Sequence, residues 1–316
     1  MTRTRFLRAL APLAALIAAF AFGVGSAQDE APAPDLPTSY ALPGDAVFPE
    51  GIALDPEAGV FYVGATNGGT IFRADIETGE VDVFAEGTQP TAIGMEVDAY
   101  GRLWVAGGPS GRVFVYDTAS GELLRSYDTP AAEGTFLNDL TFVRDRVYVT
   151  DSQRPELFRI EAGPELGGLD TFVSFEGTPF AYVDGFNANG IVVAPGGWAL
   201  VIVNSATGEL YRVGLGDGAV SRVATIGEPL TAGDGMAIQG RTLYVVRNRF
   251  GEVARLSISP AGRAVAPSAG PITSEAFHFP TTAAVHDGSI FVVNSQFDRQ
   301  GGEPDLPFEV VRVPIP

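Results

Sequence analysis

The chain has no cysteine and only two histidines among its 316 residues. Disulfides and cysteine-linked lipid anchors are therefore excluded. Iron–sulfur chemistry is excluded too, and zinc or copper would find too few of its usual nitrogen and sulfur ligands. The fold must hold itself together by burial alone. Basic residues are also scarce, with 20 Lys and Arg against 38 Asp and Glu, a formal charge of −18. Nucleic acid and anionic membranes call for basic patches, so neither is expected as a partner. An acid excess suits a soluble exported protein and raises the local concentration of cations. No stretch beyond residue 27 sustains a helical period, and none there is apolar for long enough to cross a bilayer as a helix.

What is present begins with a targeting pattern. Arg3, Arg5 and Arg8 form a positive start, Leu10 to Val24 is apolar and alanine-rich, and Gly25 and Ala27 offer small residues for cleavage ahead of Gln28. Residues 1–27 thus read as a secretory signal peptide. An uncleaved membrane anchor is the other reading, although the apolar run is short for a span. Removing three arginines and no acid moves the formal charge from −18 to −21. "DEAPAPDLPTS", Asp29 to Ser39, is proline-rich and charged, and residues 28–37 are expected to form a flexible lead-in. The expected location is periplasmic or extracellular. The expected partner is a small-molecule substrate or ligand, with no membrane contact after cleavage, and the chain is expected to act as a monomer.

From residue 38 to 316 one unit recurs six times. "GVFYVGATNGGTIFRADIETGEVDVFAEG" sets the plan: an apolar strand, a small polar turn, an alternating strand, a Thr-Gly turn and a third strand. "GRLWVAGGPSGRVFVYDTASGELLRSYD" repeats it, and further copies start near Asp145, Trp198, Arg241 and Gly288. Each is preceded by a short strand of small residues: "GIALD", "GMEVD", "DLTFV", "GIVVA", "GMAIQ" and "TAAVH". Apolar spacing of two, β-branched and aromatic residues, and Gly, Asp, Asn and Ser at the turns mark these as strands. Anchors at Glu50, Ile93, Asn138, Asn189, Asp234 and Thr281 lie 43, 45, 51, 45 and 47 residues apart. Four strands per unit at that period predict an all-β, six-bladed β-propeller with four-stranded blades. The last copy ends after its third strand, and "SYALP" precedes the first. Pairing the N-terminal strand into the last blade would close the ring and cover its edge.

Rotation relates the six units, so the anchor residues should form a ring at one end of the axis. Glu50, Asn138, Asn189 and Asp234 bring two carboxylates and two carboxamides to that ring, all oxygen donors suited to a hard divalent cation. Calcium is the natural occupant and magnesium the alternative. The competing reading is ordinary turn chemistry, since Asn-Gly and Asp-Gly are common turn dipeptides. A second polar set, Asn67, Asp151, Asn204, Asn248 and Asn294, is read as turn chemistry rather than a binding surface. Trp104 and Trp198 are read as core residues on strands.

The same residues carry a family resemblance. "PEG" at Pro49–Gly51, "GRLWVAG" at Gly101–Gly107, "ND" at Asn138–Asp139, "NG" at Asn189–Gly190 and "DGM" at Asp234–Met236 resemble, in order, the senescence-marker-protein/gluconolactonase/luciferin-regenerating-enzyme-like family. The resemblance implies a six-bladed propeller with one catalytic divalent cation on the axis, held here by Glu50, Asn138, Asn189 and Asp234. It also implies a metal-dependent hydrolase of lactones or esters, with Asp234 as general base or, less simply, nucleophile, and with Asp139 and Asn187 orienting the ligands. Relatives include calcium-dependent lactonases, squid-type organophosphate hydrolases and, more distantly, paraoxonases. Two departures matter. Gluconolactonases of the family carry a sugar-contacting arginine two residues before the first ligand asparagine, where this chain has Phe136. With Ile93 on the ring, that points away from a sugar acid lactone and towards a less polar ligand. Paraoxonase-like catalysis uses paired histidines, whereas here His286 falls in a turn and only His278, near Thr281, is placed to line the pocket. The alternative function is a non-catalytic propeller that binds a small ligand or a partner protein and uses the cation structurally.

Overall fold

A computed structural model describes residues 36–87, 89–130 and 133–316. The signal peptide and most of the lead-in therefore lie outside the described residues. Six sheets among the described residues form the six blades of a propeller. Blade 1 runs outward through Pro49–Asp55, Val60–Ala65, Ile71–Asp75 and Val81–Ala85, each strand antiparallel to the last. Blades 2, 3 and 4 repeat this order. Blade 5 departs from four strands: short Ala224–Thr225 and Ile272–Thr273 join its outer side.

The second strand of each blade explains why its sequence shows no polar face. In blade 1, Phe61 and Val63 pack towards blade 6, while Val60 and Tyr62 pack towards blade 2. In blade 2, Leu103 and Val105 return the contact with blade 1, while Trp104 and Ala106 face blade 3. The core is thus six separate layers, one between each pair of neighbouring blades. A strand buried on both faces is apolar along its middle, and its buried polar residues, such as Asp151, Asn204 and Asn294, stand at the end that leads into the turn. Trp104 is fully buried there, and its indole N–H donates to Asp98 Oδ2 at 2.8 Å. Asp98 also pairs with the buried Arg102 at 2.6 Å, and Arg102 reaches on to the carbonyl of Ala162 in blade 3.

Trp198 is a correction. It is 73 % exposed and lies in the turn after Gly196 and Gly197, one residue ahead of the strand Ala199–Asn204. Its place beside an apolar run imitates a strand start, but burial begins only at Ala199.

The ring closes through the N-terminal strand. Ser39–Leu42 pairs antiparallel with Phe308–Pro314, from Ser39 opposite Val311 to Leu42 opposite Phe308. Tyr40 and Leu42 are fully buried, and the Tyr40 hydroxyl donates to the carbonyl of Ile76 in blade 1. Arg312 reaches back to the carbonyls of Leu36 and Pro37, both at 2.7 Å. Deleting residues 36–43 should therefore destabilise the protein by about 5 kcal/mol, since two large core side chains and an edge strand are lost together. Urea unfolding of the truncated chain checks this; an unchanged midpoint and slope would show that the strand contributes nothing.

Candidate functional site

The innermost strands share one irregularity that builds the site. In five blades the antiparallel register slips between the first and fourth residues, at Pro49/Ile52, Leu137/Leu140, Ala188/Ile191, Gly233/Met236 and Pro280/Ala283. The unpaired residues begin with Glu50, Asn138, Asn189, Asp234 and Thr281. A bulge frees a side chain from the ladder and re-aims it. In blade 2 the strand starts later, at Met95, and Ile93 sits ahead of it, bonded through its N–H to the carbonyl of Ala106.

The glycines that follow have a packing reason. A Cβ on Gly51 would lie 2.1 Å from the Ile93 carbonyl oxygen, and one on Gly190 2.4 Å from that of Asp234. The next blade's backbone already occupies that space. "NG" and "DG" therefore lie within strands and not in turns, which removes the turn reading for Asn189 and Asp234.

Glu50, Asn138, Asn189 and Asp234 are only 4–6 % exposed and converge on the floor of a cavity of about 560 Å³. Asn189 donates its amide N–H to Asp234 Oδ1 at 2.8 Å, and Asn248 donates to Oδ2 at 2.9 Å. Asn138 donates to Ser152 Oγ at 3.0 Å, and Ser152 passes a hydrogen bond to the carbonyl of Ala188. These bonds use the amide nitrogens and leave oxygens over. Glu50 Oε2 and Asn189 Oδ1 are buried without any hydrogen-bond partner.

The electrostatics agree with the geometry. Burial first, then the neighbouring Asp234 and Asp139 carboxylates, push Glu50 well above the usual carboxylate range. Burial lifts Asp234 to about 6, against the hydrogen bonds from Asn248 and Asn189 that favour its charged form. Two buried acids and two orphaned oxygens at one spot lack a positive charge. No cluster of three or more His, Cys, Asp or Glu among the described residues is placed to hold a metal. The donor set here is mixed, two carboxylates with two carboxamides, and its unpartnered oxygens fit a hard divalent cation.

Ile93 and Phe136 line the same cavity. Thr281 does not: it is fully buried, and its hydroxyl donates to the Glu50 carbonyl at 2.9 Å, tying blade 6 to blade 1. His278 is also absent from the lining; its backbone N–H bonds to Asn294 Oδ1. His286 ends the strand Pro280–His286, away from the cavity. Asp139 and Asn187 have no hydrogen bond to any of the four side chains and bond mainly to backbone. Asp139 accepts the N–H groups of Leu140 and Ile191, and burial raises it to about 7. It lines a separate cavity of about 310 Å³ with Glu96. Asn187 fixes the loop before blade 4 by bonding Val183 and Gly185.

Other lining residues carried no sequence signal. Asn248 was hidden among turn asparagines. Phe186 lies in an irregular loop, and Arg249, Phe250 and Phe297 sit in two short 3-10 turns, Asn248–Phe250 and Phe297–Arg299. Asn204, by contrast, caps its own turn by accepting the N–H of Thr207.

Residues 34–153 match the family model described as SMP-30/Gluconolactonase/LRE-like region. No curated protein sequence matches the chain. Among solved structures, a gluconolactonase from Xanthomonas campestris superposes with a TM-score of 0.62 at 18% identity, over 88% of this chain and 89% of that one. Regucalcin from Agrobacterium tumefaciens, described as a calcium-binding protein, gives 0.62 at 15%, over 89% and 96%. Virginiamycin B lyase from Staphylococcus aureus gives 0.64 at 12%, over 89% and 99%. At such identities the likeness establishes the fold.

Calcium titrated into chelator-stripped protein should bind one to one, and Asp234→Ala should abolish the binding; calorimetry reads both. The pH dependence of the stripped protein follows from the raised acids. Ordinary carboxylates titrate near about 4 in an unfolded chain, so folding favours the protonated forms of Glu50 and Asp234. Their contribution is complete below that value and is lost as pH rises through about 6 and beyond. The melting temperature should fall from pH 5 to pH 8, and Glu50→Gln should flatten that fall. A profile identical in wild type and variant would refute the assignment.

Proposed function

We propose that the protein is an exported hydrolase that opens a lactone or related ester with the help of one divalent cation, calcium by preference. The observation that carries this reading is the open cavity of about 560 Å³ above the four oxygen donors. A cation serving only to pin the blades would sit behind side chains, with no room for a ligand. Here the two unpartnered oxygens belong to residues that line a space large enough for a small molecule. The region match and the gluconolactonase-like fold support the same reading.

Glu50, Asn138, Asn189 and Asp234 would hold the cation. Bound there, it supplies Lewis-acid polarisation of the substrate carbonyl and stabilises negative charge developing on its oxygen. Asp234 is the group placed to take a proton from an attacking water. Beside a bound divalent cation its carboxyl would be held ionised at neutral pH, as a general base must be. The amides of Asn189 and Asn248 hold its two oxygens in fixed directions. Export rests on Arg3, Arg5, Arg8 and the apolar run Leu10 to Val24. The partner is then a small molecule met outside the cytoplasm by a monomer.

Asp234→Asn keeps an oxygen donor and removes the base. Turnover on a panel of lactones and esters should drop by about 100-fold or more, while calorimetry should show calcium binding weakened but retained. Full activity in this variant would rule Asp234 out as the base.

A further inference from the structure

Four phenylalanines from four blades stand over the oxygen-donor floor. Phe136 precedes the inner strand of blade 3 and Phe186 that of blade 4, while Phe250 and Phe297 come from the 3-10 turns of blades 5 and 6. Phe186 is 45 % exposed and Phe250 55 %. Large apolar side chains left open to a concave space mark a place where an apolar ligand removes them from water.

This wall is held in place from behind. The rings of Phe136 and Phe186 meet edge to face, 5.0 Å apart. The Phe136 N–H donates to buried Asp151 at 2.9 Å, and Tyr182 donates to the Asp151 carbonyl at 2.6 Å. Asn187 clamps the loop that carries Phe186. The Arg247 guanidinium lies 4.0 Å over the Phe250 ring and is itself paired with Glu252 at 2.7 Å. An aromatic surface fixed by such contacts can receive a flat group without first being ordered.

Polar recognition, by contrast, is mostly already engaged. Of the three hydroxyls along the wall, Thr66 donates to the Phe48 carbonyl and Ser205 to that of Gly233, which leaves that of Thr231 for a ligand. The charged side chains at the mouth are one Arg249 and one Asp184, of opposite sign. On the floor, two carboxylates would balance one divalent cation. The cavity therefore calls for no net charge and has few free partners for a polyol.

We infer that the substrate is an uncharged lactone or ester bearing an aryl group, which Phe136, Phe186 and Phe250 grip while the carbonyl meets the oxygen-donor floor. This rests on the hydrolase reading for the reaction, and on the aromatic wall alone for the ligand. Sugar lactones are poor substrates on this account, because their hydroxyls would face phenylalanine.

The test compares β-phenyl-γ-butyrolactone, γ-butyrolactone and D-glucono-1,5-lactone on the calcium-loaded full chain. The first two share a primary alkoxide leaving group, so intrinsic reactivity differs little between them. The phenyl lactone should have a kcat/KM at least about tenfold above the unsubstituted one. That ratio should fall towards one in Phe186→Ala and Phe250→Ala, whose exposed loop positions leave folding intact; circular dichroism verifies this. A second readout needs no turnover: calorimetric binding of the non-hydrolysable lactam 4-phenyl-2-pyrrolidinone, expected to weaken about tenfold in each variant. Lactam binding with this phenylalanine dependence but no turnover of any lactone or ester would overturn the hydrolase reading and keep the aryl site. Equal turnover of the phenyl and bare lactones, preference for the sugar lactone, or lactam binding that is absent or indifferent to both variants would overturn the aryl site.

Discussion

Everything at this site depends on how closely six inner strands can approach one axis. Where the strands crowd, the carbonyl of one blade lies where the next would put a Cβ, as at Gly51 against Ile93 and Gly190 against Asp234. The register slip beside each glycine lets the preceding residue leave the ladder and turn towards the axis. A single constraint thus fixes both the glycine and the direction of the oxygen donor before it. Where no glycine follows, a side chain bridges the gap instead. Asp139 follows Asn138 and accepts the N–H of Ile191 in blade 4, and Thr281 donates to Glu50 across the closing seam.

The blades behind the axis are rigid for a different reason. Each second strand is sandwiched on both faces, so the inner strands are backed by six continuous apolar layers. Sites need such support, because a donor set that shifts by a fraction of an ångström loses much of its selectivity. The loops carry the variable part. Phe186 comes from a loop between blades, and Phe250 and Phe297 from the turn after the second strand of blades 5 and 6, so the floor is set by the inner strands and the wall by the connections.

That division also explains what the residues alone could reveal. The propeller is legible because sandwiched strands are apolar along most of their length and because the unit recurs at 43 to 51 residues. The donors Glu50, Asn138, Asn189 and Asp234 are legible because rotation maps equivalent residues onto one ring. Thr281 shows the limit of that rule: an equivalent position can turn its hydroxyl to the backbone. The glycines were ambiguous, since crowding between blades leaves the same dipeptides in a sequence as a tight turn does. Trp198 misled because an aromatic next to an apolar strand resembles a strand residue, although its turn leaves it in solvent. Of the aromatic wall only Phe136 was legible, since a loop and two 3-10 turns bring Phe186, Phe250 and Phe297 to it without any spacing rule.

The floor as folded is incomplete in a specific way. Asn189 can satisfy Asp234 only with its nitrogen, and doing so leaves its own oxygen without a partner, as Glu50 Oε2 also is. Reversing that amide would relieve one orphan only by setting an oxygen against the Asp234 carboxylate. No rearrangement of these two side chains satisfies both, and a buried polar atom left unpaired costs about 1–3 kcal/mol. Two external agents can relieve the strain: a proton on Glu50, whose affinity for one is raised by burial and by Asp234, or a cation shared by all four donors. The two compete for the same oxygens, so cation affinity and carboxyl acidity are linked functions of one arrangement.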